Sequence, residues 1–146
     1  MKHYTTIEQS KKLLELRLNP ETADMAHIVK RNDCRESWEL AAEDPGNVYT
    51  GLKYSIGMCL SDYALPCWSL GALLEVMPEQ ITYSDFKPFL LGLFKGNKEE
   101  HSKYGHYWIQ YFATDSGGAH VQTNGHSPIE AAYSMVVWLL ENEYIK

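Results

Sequence analysis

Near its C-terminal end the chain reads Ser127-Pro128-Ile129-Glu130-Ala131-Ala132 and stays largely apolar to Leu140. Serine before a helix accepts a free backbone N–H, proline fits the first helical position, and glutamate three residues after the serine reaches back to the cap. These signals start a helix at one defined residue. Ile129, Ala132, Val136, Leu139 and Leu140 then fall on one stripe, and Met135 and Trp138 on a second. A single sheet face covers one stripe, so this helix needs further cover from the middle of the chain or from a second subunit.

The segments before it supply a sheet. Tyr104–Thr114 is rich in Tyr, Trp, Ile and Phe, and the turn Asp115-Ser116-Gly117-Gly118 leads to Ala119–Thr123. Phe86–Phe94 is a third strand, with Pro88 at an edge or a strand start. The polar turn Gly96–Glu100 joins it to the second, so the expected sheet is a three-stranded antiparallel meander. Upstream, Ser69 caps a short helix with Leu70, Leu73, Leu74 and Met77 on one face, and Pro78 ends it.

At the other end, Thr5 and Glu8 spell a capping box for a helix over Ile7–Leu18, stopped by Asn19-Pro20. Ile7, Leu14 and Leu18 form its stripe, widened by Leu13 and Leu16. Between Glu21 and Leu65 no period emerges. Met25–Val29 suits a short strand, Ser37–Glu43 a helical turn or two, and Tyr49–Asp62 mixes glycine with scattered apolar residues. This stretch reads as an ordered insertion or a lid. The expectation is a single α+β domain over residues 1–146, with an N-terminal helix, a variable middle, a short helix, the meander and a long amphipathic C-terminal helix.

Charge narrows the partners. Thirteen Lys and Arg stand against 19 Asp and Glu, a net charge of -6, and phosphate binding draws on clustered cations. Nucleic acid is therefore disfavoured. No apolar leader follows Met1-Lys2-His3-Tyr4 and no run reaches membrane-spanning length. Cys34, Cys59 and Cys67 make an odd, unpaired count, which points to reduced structural thiols and a cytoplasmic setting.

Chemical motifs are sparse. His101, His106, His120 and His126 cluster around the hairpin, and imidazoles are zinc ligands. If Asp115–Gly118 is the loop, Ala113 pairs with His120, and His106 falls on the opposite face. The two cannot then share a metal unless a bulge shifts the register. No Walker loop, G-x-S-x-G, G-x-G-x-x-G or H-E-x-x-H is present. No catalytic residue, cofactor or metal site is assigned. Alternation along the aromatic strand puts His106, Trp108, Gln110 and Phe112 on one face, and Tyr107, Ile109, Tyr111 and Ala113 on the other. Trp108 and Phe112, with Met135 and Trp138 of the last helix, are the candidate interaction surface.

Three segments together, Asn19-Pro20-Glu21-Thr22-Ala23-Asp24-Met25, Leu65–Leu74 and Ser127–Asn142, resemble a group of small uncharacterised proteins from gut Bacteroidetes and their phages or mobile elements. The likeness spans most of the chain and carries no functional residues; it implies a bacterial or phage cytoplasmic origin. The C-terminal meander followed by Gly125-x-Ser127-x-x-Glu130-Ala131 also looks like the HicB-type antitoxin domain, which would imply binding a small toxin. The leading expectation is a non-catalytic binding or assembly protein that forms a homo-oligomer or holds a protein partner. An antitoxin-like inhibitor is the alternative, and a small hydrolase that uses Glu21–Leu65 as a lid is the third.

Overall fold

Helix α1 begins one residue later in its cap than the sequence motif suggests. In the computed structural model, which describes residues 2–32, 35–41, 64–82, 88–96, 105–115 and 117–146, α1 spans Ile7–Glu15 and its N-cap is Thr6. Thr6 Oγ1 accepts the Gln9 N–H at 3.2 Å, and Gln9 Oε1 accepts the Thr6 N–H at 2.9 Å. The capping box is therefore Thr6–Gln9 and not Thr5–Glu8, because Thr5 is taken up by the core. The helix also stops before Leu18. Arg17 adopts φ 68°, and the N–H groups of Arg17 and Leu18 return to the carbonyls of Leu14 and Leu13 at 2.9 Å each. This reversal is a Schellman motif, and it buries Leu18 with Leu13. Asn19–Pro20 begins a single 3-10 turn, Pro20–Thr22, capped by the Asn19 side chain.

Strand β1 (Met25–Asn32) pairs antiparallel with both β2 (Arg35–Ala41) and β3 (Ala64–Cys67), in the order β2-β1-β3. The helical turn expected over Ser37–Glu43 is replaced as far as Ala41 by β2, since seven consecutive cross-strand partners outweigh a weak local preference. Tyr49–Asp62 lies outside the described residues. With α1, these strands belong to a compact unit, Tyr4–Ala72.

Residues Leu73–Lys146 form a second compact unit. The short helix α2 runs Leu70–Val76, with Ser69 Oγ accepting the Ala72 N–H at 3.2 Å, as its sequence implies. The sheet that follows has four strands, β4 (Gln80–Thr82), β5 (Pro88–Lys95), β6 (Tyr107–Ala113) and β7 (Ala119–Gly125), in sequential antiparallel order. The meander is thus one strand wider than expected. Strand β4 has three residues, too few to show a period of two. Helix α3 (Pro128–Glu141) packs on β6 and β7. Its cap is Ser127 with Pro128 behind it, and Glu130 Oε2 accepts from the His126 N–H at 2.8 Å.

The core of this second unit is built on one of the two faces that alternation separates, the one carrying Ile109, Tyr111 and Ala113. Ile109, Tyr111 and Ala113 are buried, whereas Trp108, Gln110 and Phe112 are half-buried. Thr123, opposite Ile109 in the register, donates its hydroxyl to the Ala131 carbonyl at 2.8 Å, which places α3 over that face. The Tyr111 hydroxyl donates to the Pro78 carbonyl at 2.7 Å. The described residues therefore combine α-helices with two antiparallel sheets, an α+β protein. Among them no helix is long and apolar enough to cross a membrane.

Candidate interaction surface

The face of the second sheet turned away from α3 is organised around a glycine. Cross-strand partners share a face, so Leu90, Gly92 and Phe94 of β5 stand beside Phe112, Gln110 and Trp108 of β6. Phe94 stacks on Trp108, with ring centroids 5.9 Å apart and planes inclined by 16°, and meets Phe112 edge-on at 6.0 Å. A Cβ at Gly92 would lie 2.5 Å and 2.7 Å from two carbons of the Phe94 ring and 3.0 Å from Phe112. The missing side chain is what lets the rings lie down over the sheet. Each such aromatic pair contributes about 0.5–1.5 kcal/mol beyond the area it buries. Gln110, Gln122 and Asn124 continue this face with neutral amides, and Gln122 and Asn124 are exposed.

Two of the four expected surface residues, Trp108 and Phe112, are brought together here through Phe94. The other two are elsewhere. Met135 is fully buried and belongs to the core under α3, so it presents no surface. The helix turns both of its stripes inward far enough to bury Met135 together with Val136 and Leu139. Trp138 is half-buried on the helix side of the sheet. Its ring stacks on Tyr144 at 5.3 Å and meets His120 edge-on at 6.0 Å. Gly92 inside an apolar strand is a signal for close approach, but its grouping and that of Phe94 with Trp108 and Phe112 come from the β5–β6 register.

The histidines separate into different neighbourhoods. The expected pairing of Ala113 with His120 is displaced by a bulge: Tyr111 faces Val121 and Phe112 faces Ala119. His120 is the extra residue, and it packs between Phe89, at 5.0 Å, and Trp138. His106 instead meets His126 edge-on at 6.4 Å, and its Nδ1 is buried without a hydrogen-bond partner. His101 lies outside the described residues. Among the described residues no three His, Cys, Asp or Glu side chains converge as a metal site would require.

Cys67 and His27 meet in the N-terminal unit, around Thr5. His27 Nε2 is 2.9 Å from the Thr5 carbonyl, and the Cys67 thiol donates to the same oxygen at 3.5 Å. Thr5 Oγ1 accepts the Trp68 N–H at 3.0 Å and lies 2.8 Å from Ser10 Oγ. Burial pushes the Cys67 thiol up from 9.0 to about 11, against the opposing hydrogen bond from Thr5. A thiol in that range is protonated at neutral pH and is a poor nucleophile. The group holds the N-terminal segment in place. Cys34 and Cys59 lie outside the described residues.

Comparison with family models, with curated proteins and with solved structures finds no match for this chain.

Proposed function

We propose that this chain is a non-catalytic binding and assembly protein of phage or mobile-element origin, working in the cytoplasm and associating with copies of itself. The observation that carries the reading is the ring of Phe94 laid over Gly92 between Trp108 and Phe112, on the sheet face opposite α3. Half-buried rings flanked by neutral amides suit a protein contact, where aromatic anchors supply most of the energy. The net charge of -6 argues against phosphate as the ligand of the same face. Sedimentation velocity from low to high micromolar concentration tests the reading. Reversible association is expected in the native chain and its loss in Trp108→Ala, while a strict monomer throughout overturns it. Gly92→Ala is expected to weaken association as well, by lifting the Phe94 ring off the sheet.

A second reading is an inhibitor or antitoxin-like protein that binds a small partner. It is favoured by the order β5-β6-β7 leading through the Ser127 cap into α3, the arrangement for which the C-terminal part resembles a HicB-type domain. Co-expression with the product of the adjacent gene separates the two readings: a stable heteromeric complex in place of self-association supports the second.

A further inference from the structure

His106 and His126 stand one position beyond the last ladder pair of β6 and β7, Tyr107 with Gly125. Directly opposed residues of an antiparallel pair carry their Cβ atoms about 4.5–5.5 Å apart. The two imidazole centroids are 6.4 Å apart, with planes at 87°. The backbone under each ring is fixed. Gly105 holds φ 96°, and a Cβ there would run into the Gly125 carbonyl and lie 2.8 Å from the His126 nitrogen. Glycine is what lets the two segments touch. A Cβ at Gly125 would in turn lie 2.6 Å from the Ala131 nitrogen. From the other sides, the Gly96 N–H donates to the His106 carbonyl at 2.7 Å, and the His126 N–H donates to Glu130 Oε2.

One ring atom in this clamp lacks a partner. His106 Nδ1 is buried with no hydrogen bond, whereas folded proteins pair nearly all such atoms. Beside it stands a second imidazole, on the exposed His126, and imidazole nitrogens are the commonest protein ligands of transition metals. We infer that His106, through Nδ1, and His126 together chelate a divalent transition ion of the class that zinc and cobalt represent. Two imidazoles on one ion, at about 2.0–2.1 Å per bond, have centroids roughly 5–6 Å apart. A small rotation of the exposed His126 side chain covers the difference. Glu130, whose carboxylate holds the His126 N–H, brings negative charge to the same corner. Among the described residues no third His, Cys, Asp or Glu joins the pair. Solvent therefore completes the coordination, giving an open chelate instead of the closed four-ligand site of structural zinc. His120 takes no part, since it packs between Phe89 and Trp138. The chelate is independent of whether copies associate.

Calorimetric titration of the whole chain with zinc tests the inference. One ion per chain is expected, removable by EDTA, and Mg2+, which prefers oxygen ligands, should not replace it. His106→Ala and His126→Ala should each weaken zinc binding by roughly tenfold or more, since even partners outside a coordination sphere are worth about that. His120→Ala should leave the affinity unchanged. His126 is exposed, so the fold tolerates its loss and the test does not depend on how His106→Ala folds. In a proton NMR titration, paramagnetic Co2+ should broaden the ring signals of His106 and His126 together, ahead of those of His27 and His120. Absence of saturable zinc binding, binding that survives the loss of either histidine, or broadening confined to one ring of the pair overturns the chelate.

Discussion

Two buried residues, Tyr111 and Cys67, carry their protons for reasons that can be measured. Tyr111 is enclosed by the second unit and donates to the Pro78 carbonyl. Tyr111→Phe is expected to cost about 0.5–1.5 kcal/mol in urea unfolding, the net worth of a hydrogen bond whose acceptor is left behind. Burial raises the pH at which both groups ionise, so each releases its proton first from the unfolded chain. Their contribution is complete below the unfolded value near 9 for Cys67 and declines as pH rises toward about 11. Stability is therefore expected to fall across that window, and Cys67→Ala should flatten the slope. Denaturant midpoints between pH 8 and pH 11 check this.

Helix ends show most clearly what local sequence does and does not disclose. Both α1 and α3 finish in Schellman motifs without glycine: Glu143 adopts φ 60° as Arg17 adopts 68°, and Tyr144 N–H returns to the Leu139 carbonyl at 2.9 Å. A non-glycine residue in this region costs about 1–2 kcal/mol, against roughly 0.5–1 kcal/mol of extra entropy lost by glycine. Glu143→Gly should thus stabilise by about 0.5–1 kcal/mol in thermal melts, and it also removes a negative charge from the negative end of the helix dipole. Arg17→Gly should gain less, because its positive charge favours that end. The start of α3 was legible because serine, proline and glutamate act within one turn. The start of α1 was misplaced by one residue because Thr5 and Thr6 are equivalent locally, and only Trp68, far along the chain, takes Thr5 away. Strand β2 was hidden for the same reason, its partner strand being the deciding influence. At the candidate surface, alternation placed Trp108 and Phe112 on one face correctly. Their link, Phe94, depends on the β5–β6 register and could not be read from either strand alone.

At the scale of the whole chain, charge and association oppose each other. A net charge of -6 makes copies repel over distances comparable with the Debye length, about 10 Å at 0.1 M salt and 3 Å at 1 M. The aromatic face places no charged side chain at the centre of its contact. Self-association is accordingly expected to strengthen as salt rises from 50 mM to 500 mM, and near pH 5.5, where the net charge vanishes. Sedimentation equilibrium across those conditions checks the sign; a contact held by ion pairs would weaken instead.

The bond between Thr5 and Trp68 also sets an order of events. It joins residues 63 positions apart, whereas β5, β6, β7 and α3 each meet a neighbour in the chain. Closing the long loop spends chain entropy before any contact rewards it, and topologies of that kind form slowly. During synthesis the first helix emerges early, yet its anchor residues wait for Trp68 to leave the ribosome. Docking of α1 is therefore expected to lag its own emergence by the length of chain that separates Thr5 from Trp68.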